Sequence, residues 1–362
     1  MVAQIDKELL LRRPWKVPGR LFSYAFIEGR PLTTKGRWIN GLVFALYRLA
    51  QVIPAPKRRG QVVFIVGTGR SGTTILGKLF SIHREVVFLN EPKALWHFAY
   101  PREDLIGSYS EGQATVVVEP QQDSQLIANK VSRVYRWAQF WGGARCVVDK
   151  YPELVFRDRF VFDLFPDAKF IAMLRNGVDT CCSIDKWSAK NGLSKNGETH
   201  DWWGRDDRKW RLLVDELVPL HPDLCPYISQ IRQFTDHRDR AAVEWILAMR
   251  AAVSVTRSQP ESVHIVRYED LCNQPSKTLS RLLEFCGLKS DYTFFRYAES
   301  KLSRVSYYPG VALDPIIVVP FRETMVELGY RESCDRVQPR IEHDEEVLFP
   351  ASRDEYARST GS

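Results

Sequence analysis

Residues 61–76, Gln61-Val-Val-Phe-Ile-Val-Gly67-Thr68-Gly69-Arg70-Ser71-Gly72-Thr73-Thr74-Ile75-Leu76, decide the fold. Their first six positions are mostly β-branched or aromatic and predict a buried strand. A glycine-rich turn follows, and a helix is expected to begin at Ser71 or Gly72 with Leu76, Leu79 and Phe80 as its apolar stripe. Such a strand–turn–helix aims backbone N–H groups and the positive end of a helix dipole at one point, a hole shaped for phosphate. The spacing mimics the nucleotide loop G-x-x-x-x-G-K-[ST], but Thr73 stands where the lysine belongs and the turn carries Arg70 instead. With that lysine missing, and no acidic strand end evident to help hold Mg²⁺, ordinary triphosphate chemistry is disfavoured. The expected ligand is a nucleotide whose 5′ anion needs no metal.

The 362 residues around this stretch suffice for one large α/β domain with appendages or for two small ones, and 44% hydrophobic content supports a real core. The net charge of +7 is unevenly spread: residues 1–60 hold 12 Lys/Arg against 3 Asp/Glu, leaving 39 against 41 in the remainder. Basicity belongs to an N-terminal arm, so charge does not suggest nucleic-acid binding by the main body. The seven cysteines, at 146, 181, 182, 225, 272, 286 and 334, form no C-x-x-C pair, and no His cluster has metal-ligand spacing. They read as buried free thiols in a reducing compartment. No cleavable signal pattern opens the sequence. The longest apolar stretch, Ile39 to Ile53, is interrupted by Arg48 and falls short of the roughly 20 residues a bilayer span needs. A cytoplasmic location is the expectation.

Three regions are expected: a basic helical arm over 1–60, a main unit over 61–335, and a polar tail over 336–362 that is disordered or loosely docked. The arm ends in the linker-like Pro54-Ala-Pro56-Lys-Arg-Arg-Gly60. Within it, Trp38, Leu42, Leu46, Leu49 and Ile53 recur at helical spacing. They form either a helix packed on the core or a basic amphipathic helix resting on a membrane surface. From 61 onward, strands at 61–66, 86–90, 145–149, 168–174 and 263–267 alternate with helices at 72–82, 124–141, 153–164, 178–187, 240–257 and 276–286. This alternation predicts an α/β fold with a parallel sheet covered on both faces, and ligands at the carboxyl ends of its strands. Residues 188–239 break the rhythm. They are polar and contain Trp202, Trp203 and Trp210, and they read as a long functional insertion rather than core.

A second anion-binding pattern runs from the strand Lys169–Leu174 through Arg175 and Asn176-Gly177 into a helix containing Ser183. Arg175 and Ser183 can converge on one anion from two sides, or be an ordinary surface arginine and helix serine. A third strand ends at Arg267 and leads into Tyr268-Glu-Asp-Leu271. Taken in order, these segments resemble the sulfotransferase family. Gly69-Arg-Ser-Gly-Thr-Thr74 is similar to its 5′-phosphosulfate loop, and Phe165-Pro-Asp-Ala-Lys-Phe-Ile-Ala-Met-Leu-Arg175 with Ser183 to its 3′-phosphate motif. Arg267-Tyr-Glu-Asp-Leu271 and Met325-Val-Glu-Leu-Gly-Tyr330 also match. The resemblance covers residues 61–330 and implies a P-loop-like three-layer α/β fold with 3′-phosphoadenosine 5′-phosphosulfate (PAPS) as sulfuryl donor. Carried over, Gly69, Arg70, Ser71, Gly72, Thr73 and Thr74 surround the 5′-phosphosulfate, Arg175 and Ser183 hold the 3′-phosphate, and Tyr268 contacts the nucleotide.

Sulfuryl transfer resembles phosphoryl transfer, an in-line displacement governed by positioning and by stabilising the leaving group's charge. Arg70, the loop amides and a lysine can then take the place of Mg²⁺. Lys150 is the candidate lysine; it ends the strand Cys146–Asp149, and its Lys-x-Pro context resembles the tyrosylprotein sulfotransferases. The alternative is a strand-end surface lysine. A base near the loop must take the acceptor's proton. Glu91, in Asn90-Glu91-Pro92, resembles the glutamate base of some sulfotransferases; laid parallel beside the first strand, it falls next to Arg70, which depresses its pKa. His97 is the fallback, and a purely structural Glu91 stays open. The tryptophans of the insertion either wall an apolar or ring-bearing acceptor or pin down a long loop. The basic arm could instead recruit an acidic polysaccharide or lipid surface.

The reading is a metal-free PAPS-dependent sulfotransferase acting on a small-molecule, glycan or lipid acceptor, with Glu91, Lys150 and Arg70 as catalytic residues. The rivals are a metal-dependent P-loop kinase or NTPase and a non-catalytic nucleotide-binding scaffold. No nucleic-acid partner is expected, while peripheral membrane contact through the arm is an option.

Overall fold

In the computed structural model, which describes residues 4–340 apart from 32, 33, 58, 59, 196, 304 and 306, the apolar run at 61 becomes strand β1 (Gln61–Gly67). It sits in the middle of a five-stranded parallel sheet with β2 (Val86–Asn90), β3 (Cys146–Lys150), β4 (Lys169–Leu174) and an edge strand, Val263–Arg267. The order is β2-β3-β1-β4-edge. Each strand lies within a residue of its expected bounds. Strands covered on both faces are mostly apolar, which is why the inner segments read as near-continuous runs, although β3 ends in the buried Asp149 and Lys150.

Phe64 and Val66 of β1, with Phe170 and Ala172 of β4, enter the larger core; Val63, Ile65, Ile171 and Met173 enter the smaller one on the other face. Helices Ser124–Trp141, Gly177–Asn191 and His237–Ser258 cover the first face. Helices Thr73–Ile82, Pro275–Phe285 and Tyr292–Lys301 cover the second. The three-layer, P-loop-like α/β architecture is the one expected.

The differences are local and have physical causes. The first crossover helix starts at Thr73, one or two residues late, because Gly72 caps it in the left-handed region (φ 99°). The segment expected as a helix over 153–164 begins as a 3₁₀ turn, Pro152–Arg157, before Asp158–Leu164 turns α-helical.

The N-terminal arm does form a helix over Asn40–Val52, but the core-packed reading had the wrong face. Val43 and Tyr47 are buried, whereas Trp38, Leu42, Leu49 and Ile53 face outward. Helix Lys16–Phe26 lies along the outer end of β2, where Lys16 Nζ donates to the Val86 carbonyl at 2.6 Å. The buried Arg20–Glu28 pair lies beside it, and Glu28 accepts the Asn90 backbone N–H at 2.7 Å. The arm therefore braces the strand that leads to Glu91.

The insertion is also less peripheral than expected. After a small antiparallel sheet (Leu193–Lys195, Glu198–Asp201, Gly204–Arg205), helix Arg208–Glu216 buries Trp210, Leu213 and Val214 in the larger core. The start of the tail is docked: Val337–Pro339 pairs with Val311–Leu313, and Arg340 reaches Asp236 and Asp239 at 3.0 and 2.9 Å. Residues 341–362, and Arg58 and Arg59 of the linker, lie outside the described residues. Five of the seven cysteines are buried, and Cys225 and Cys334 are partly so. Among the described residues, no helix is long and apolar enough to cross a membrane.

Candidate active site

Parallel strands put all their carboxyl ends on one rim, so the segments after β1, β2, β3, β4 and the edge strand converge there. The chain leaves β1 for the β2–β3 side and later crosses back to β4, which makes the end of β1 the switch point. A cavity of about 310 Å³ opens at this rim, lined by Gly69, Arg70, Thr73 and Thr74 of the loop together with Glu91 and Lys150.

The loop is held by specific contacts. Ser71 is fully buried and its hydroxyl donates to the Thr68 carbonyl at 2.5 Å, so it braces the turn instead of facing the cavity. The first i→i−4 bond of the following helix runs from Leu76 N–H to Gly72, which leaves the N–H groups of Thr73 to Ile75 at the helix's positive end. Two glycines admit aromatic rings. A Cβ on Gly69 would lie 2.4 Å from the Trp202 ring, and one on Gly72 would lie 2.4 Å from the Tyr268 ring.

Arg70 holds a left-handed backbone (φ 69°), as does Glu91 (φ 50°). Non-glycine residues pay about 1–3 kcal/mol for such conformations, which cluster where function over-determines the backbone. From there Arg70 Nε donates to Ser183 Oγ at 3.2 Å, and Arg175 donates to the Arg70 carbonyl at 2.9 Å. The Arg175 guanidinium lies 4.6 Å from the centre of the Tyr268 ring. Burial, and then Arg175, lower the Arg70 pKa. The structure thus gathers Arg70, Arg175, Ser183 and Tyr268 on one side of the loop. Arg175 Nε is buried there without a partner, and a donor left unsatisfied beside Arg70 fits an anionic nucleotide. The hydroxyl of Thr68, in the same loop, is also buried without a partner, and Thr68 is a position the motif reading missed.

On the other side of the cavity the expected neighbour of Glu91 is corrected. β3 lies between β1 and β2, and its register sets Lys150 opposite Asn90. Glu91 N–H donates to the Lys150 carbonyl at 2.8 Å, and the Glu91 carboxylate pairs with Lys150 and, at 3.7 Å, with Lys93. Burial pushes the Glu91 pKa up, but Lys150 and Lys93 outweigh it and hold the carboxyl below its usual value. The depression expected from Arg70 therefore comes from lysines.

This pair begins a ladder of alternating charge. Lys93 meets Glu153 at 2.8 Å, and Lys209 lies between Glu153 at 3.9 Å and Glu244 at 2.7 Å. Against burial, Lys93 and Lys209 hold the Glu153 carboxyl down to about 2. Trp202 ends the ladder: its indole N–H donates to Glu244 at 2.6 Å, Lys209 lies 4.8 Å from its ring centre, and Trp187 packs edge-on at 5.2 Å. Sequence patterns missed Lys93, Glu153, Lys209 and Glu244. The only trace was local, Lys93 two residues after Glu91 and Glu153 three after Lys150.

Of the three insertion tryptophans, left open as acceptor walls or as pins of a long loop, Trp202 lines the cavity, with Trp187, Tyr24 and Tyr109. Trp203 and Trp210 are fully buried and pack on each other at 5.6 Å. His97, the fallback base, lies outside the cavity lining, where it bonds the Pro101 carbonyl at 3.0 Å and stacks on Tyr109. The histidine that lines the cavity is His200, whose Nε2 lies 3.2 Å from Glu198. Among the described residues, no group of three or more His, Cys, Asp or Glu could hold a metal ion.

Comparison with known proteins agrees with the motifs. Residues 62–225 match the model of the sulfotransferase family. The chain is similar to nodulation protein NoeE of Sinorhizobium fredii, 24% identical over 239 residues, 62% of this chain. It spans about half, 50%, of that relative's length. Similar solved structures include a sulfotransferase domain from the curacin biosynthetic pathway, with 17% identity and a TM-score of 0.45 over 76% of this chain and 99% of that one. Another is a sulfotransferase from Mycobacterium avium, with 13% identity and a TM-score of 0.45 over 90% and 93%. The resemblance to sulfotransferases read from the motifs is borne out by the family match. The matched stretch holds the β1 loop, Glu91, Lys150, Arg175 and Ser183; Tyr268 lies beyond it.

Proposed function

We propose that this protein is a PAPS-dependent sulfotransferase that modifies a hydroxyl or amine of a small-molecule, glycan or lipid acceptor, with residues 61–335 as its catalytic unit and the cytoplasm as its location. Bound PAPS would supply an activated sulfuryl group on a 5′ anion. Arg70, Thr73, Thr74 and the N–H groups at the helix start would hold that anion, while Arg175, Ser183 and Tyr268 would hold the 3′-phosphate end. Gly69 and Gly72 keep the loop bare enough for Trp202 and Tyr268 to close against it.

Lys150, itself buried, stabilises charge that builds on the departing oxygen, as a preorganised cation. Glu91 is ionised across the neutral range, hydrogen-bonds the acceptor and takes its proton during attack. Lys93 and the ladder behind it hold that carboxylate still. The observation that carries this reading is the Lys150–Glu91 pair set across one cavity from a lysine-free anion loop.

The test is transfer of label from PAPS to a panel of sugars, phenols, lipids and amines, with excess chelator present. Chelator-resistant turnover is expected. An absolute Mg²⁺ requirement would favour a kinase or NTPase, and nucleotide binding with no turnover on any acceptor would favour a scaffold.

A further inference from the structure

The outward face of the Asn40–Val52 helix is a feature the proposed reaction leaves unused. Its inner side is firmly seated: Val43 and Tyr47 are buried, Asn40 bonds the Arg30 backbone in both directions, and Arg133 reaches the Ala50 and Ile53 carbonyls. Its outer side is nonetheless apolar. Trp38, Leu42, Ala45, Leu49 and Val52 recur every three or four residues and form one exposed stripe, Trp38 at 85% and Val52 at 74% exposure. Exposed apolar patches on soluble proteins mark contact surfaces.

The surroundings of the stripe identify the partner. No Asp or Glu occurs between Glu28 and Glu85, while residues 29–60 contain seven Lys/Arg, including Lys35, Arg37, Arg48 and Lys57. A two-fold pairing of this face with a second copy would set those like charges against each other, which is unfavourable. An anionic bilayer matches both features, accepting the tryptophan and aliphatic chains at its interface and the cations at its headgroups. Pro31 and Thr34 line the cavity, and Thr34 precedes Trp38 by four residues, so the chain leads from the cavity wall into the stripe.

We propose that the Trp38–Val52 face docks this protein on an anionic membrane surface with the cavity mouth beside the bilayer. The proposal does not depend on the sulfuryl-transfer reading, because its test measures binding alone. Full-length protein is sedimented with vesicles of phosphatidylcholine, alone or mixed with phosphatidylglycerol. Binding is expected on the mixed vesicles and about 10-fold or more weaker on the neutral ones. It should fall again when ionic strength rises from about 0.1 M to about 1 M, which shortens the Debye length from about 10 Å to about 3 Å.

The charge-neutral combination Trp38→Ser, Leu42→Ser, Leu49→Ser and Val52→Ser should lower binding at least about 10-fold. Light scattering and thermal melting keep the outcomes separable, and the single variant Leu49→Asp provides a milder second probe. Vesicle binding that the serine and aspartate variants leave intact overturns the proposal, as does absence of binding. So does a wild-type dimer that the variants split while vesicles stay bare, which would assign the face to a second copy.

Discussion

Glu91→Gln separates a base from a structural carboxylate. The substitution keeps the side chain's shape and its hydrogen bond to an acceptor while removing its charge. The structure predicts three consequences. First, turnover should fall by about 10²–10³, the lower part of the usual range for a positioned base, because Lys150 and Lys93 make this carboxylate a weak one. Second, affinity for 3′,5′-adenosine bisphosphate should hold or rise, since removing a negative charge from a cavity that also contains Arg70 and Lys150 favours an anion. Third, Lys150 loses its carboxylate partner, while Lys93 keeps Glu153 at 2.8 Å. Breaking a fully buried pair costs about 3–5 kcal/mol, but the Glu91 side chain is 37% exposed, and screening reduces the expected loss to about 1–3 kcal/mol. Single-turnover transfer, titration calorimetry and urea unfolding read the three quantities. The pH profile adds a control: a glutamate held below its ordinary value places no acidic limb of turnover near pH 6.5, where a histidine base would put one. Near-normal turnover in Glu91→Gln, or a loss that merely tracks weakened nucleotide binding, refutes the assignment. A limb near 6.5 that His200→Gln abolishes would transfer the role to His200.

Arg175→Ala should weaken 3′,5′-adenosine bisphosphate binding by about 1.5–3 kcal/mol and leave a 5′-nucleotide lacking the 3′-phosphate nearly unaffected; equal losses by calorimetry would mean Arg175 does not read the 3′ group. Gly69→Ala drives a methyl to 2.4 Å from Trp202, so it should destabilise by about 1–3 kcal/mol, and Trp202→Ala should relieve that cost; a double-mutant cycle by urea unfolding with no coupling would remove Trp202 from the loop. Asp149 lies wholly buried beneath Lys150, where burial raises its carboxyl to about 7 although Tyr135 and Trp96 donate to it. The folded state therefore keeps a proton that the unfolded chain releases above about 4, so this residue's contribution to stability falls as pH rises from about 4 to about 7. Unfolding free energies of wild type minus Asp149→Asn should decline across that window, and a flat difference would show that Asp149 is ionised in the fold.

Much of this protein is legible in its amino-acid sequence, for a definite reason. A parallel strand covered on both faces needs a mostly apolar run, and an anion loop needs glycines at set spacing, so 61–76 and the four other strands announce themselves locally. Residues at or shortly after the ends of those strands, Arg70, Glu91, Lys150, Arg175 and Tyr268, inherit a place on one rim from topology alone. What chain order could not state was strand adjacency. Only the sheet order puts β3 between β1 and β2, which gives Glu91 to Lys150 and Lys93 instead of Arg70. The same limit hid the ladder through Lys209 and Glu244, which joins side chains 35 residues apart. It also hid which tryptophan meets the loop, because indole-rich sequence looks alike in a core and in a cavity wall. Helical periodicity predicted a helix with Trp38, Leu42, Leu46, Leu49 and Ile53 as its apolar set. Tertiary packing chose Val43 and Tyr47 for the core and turned Trp38, Leu42, Leu49 and Val52 outward, since burial depends on what stands opposite a face as well as on how apolar it is.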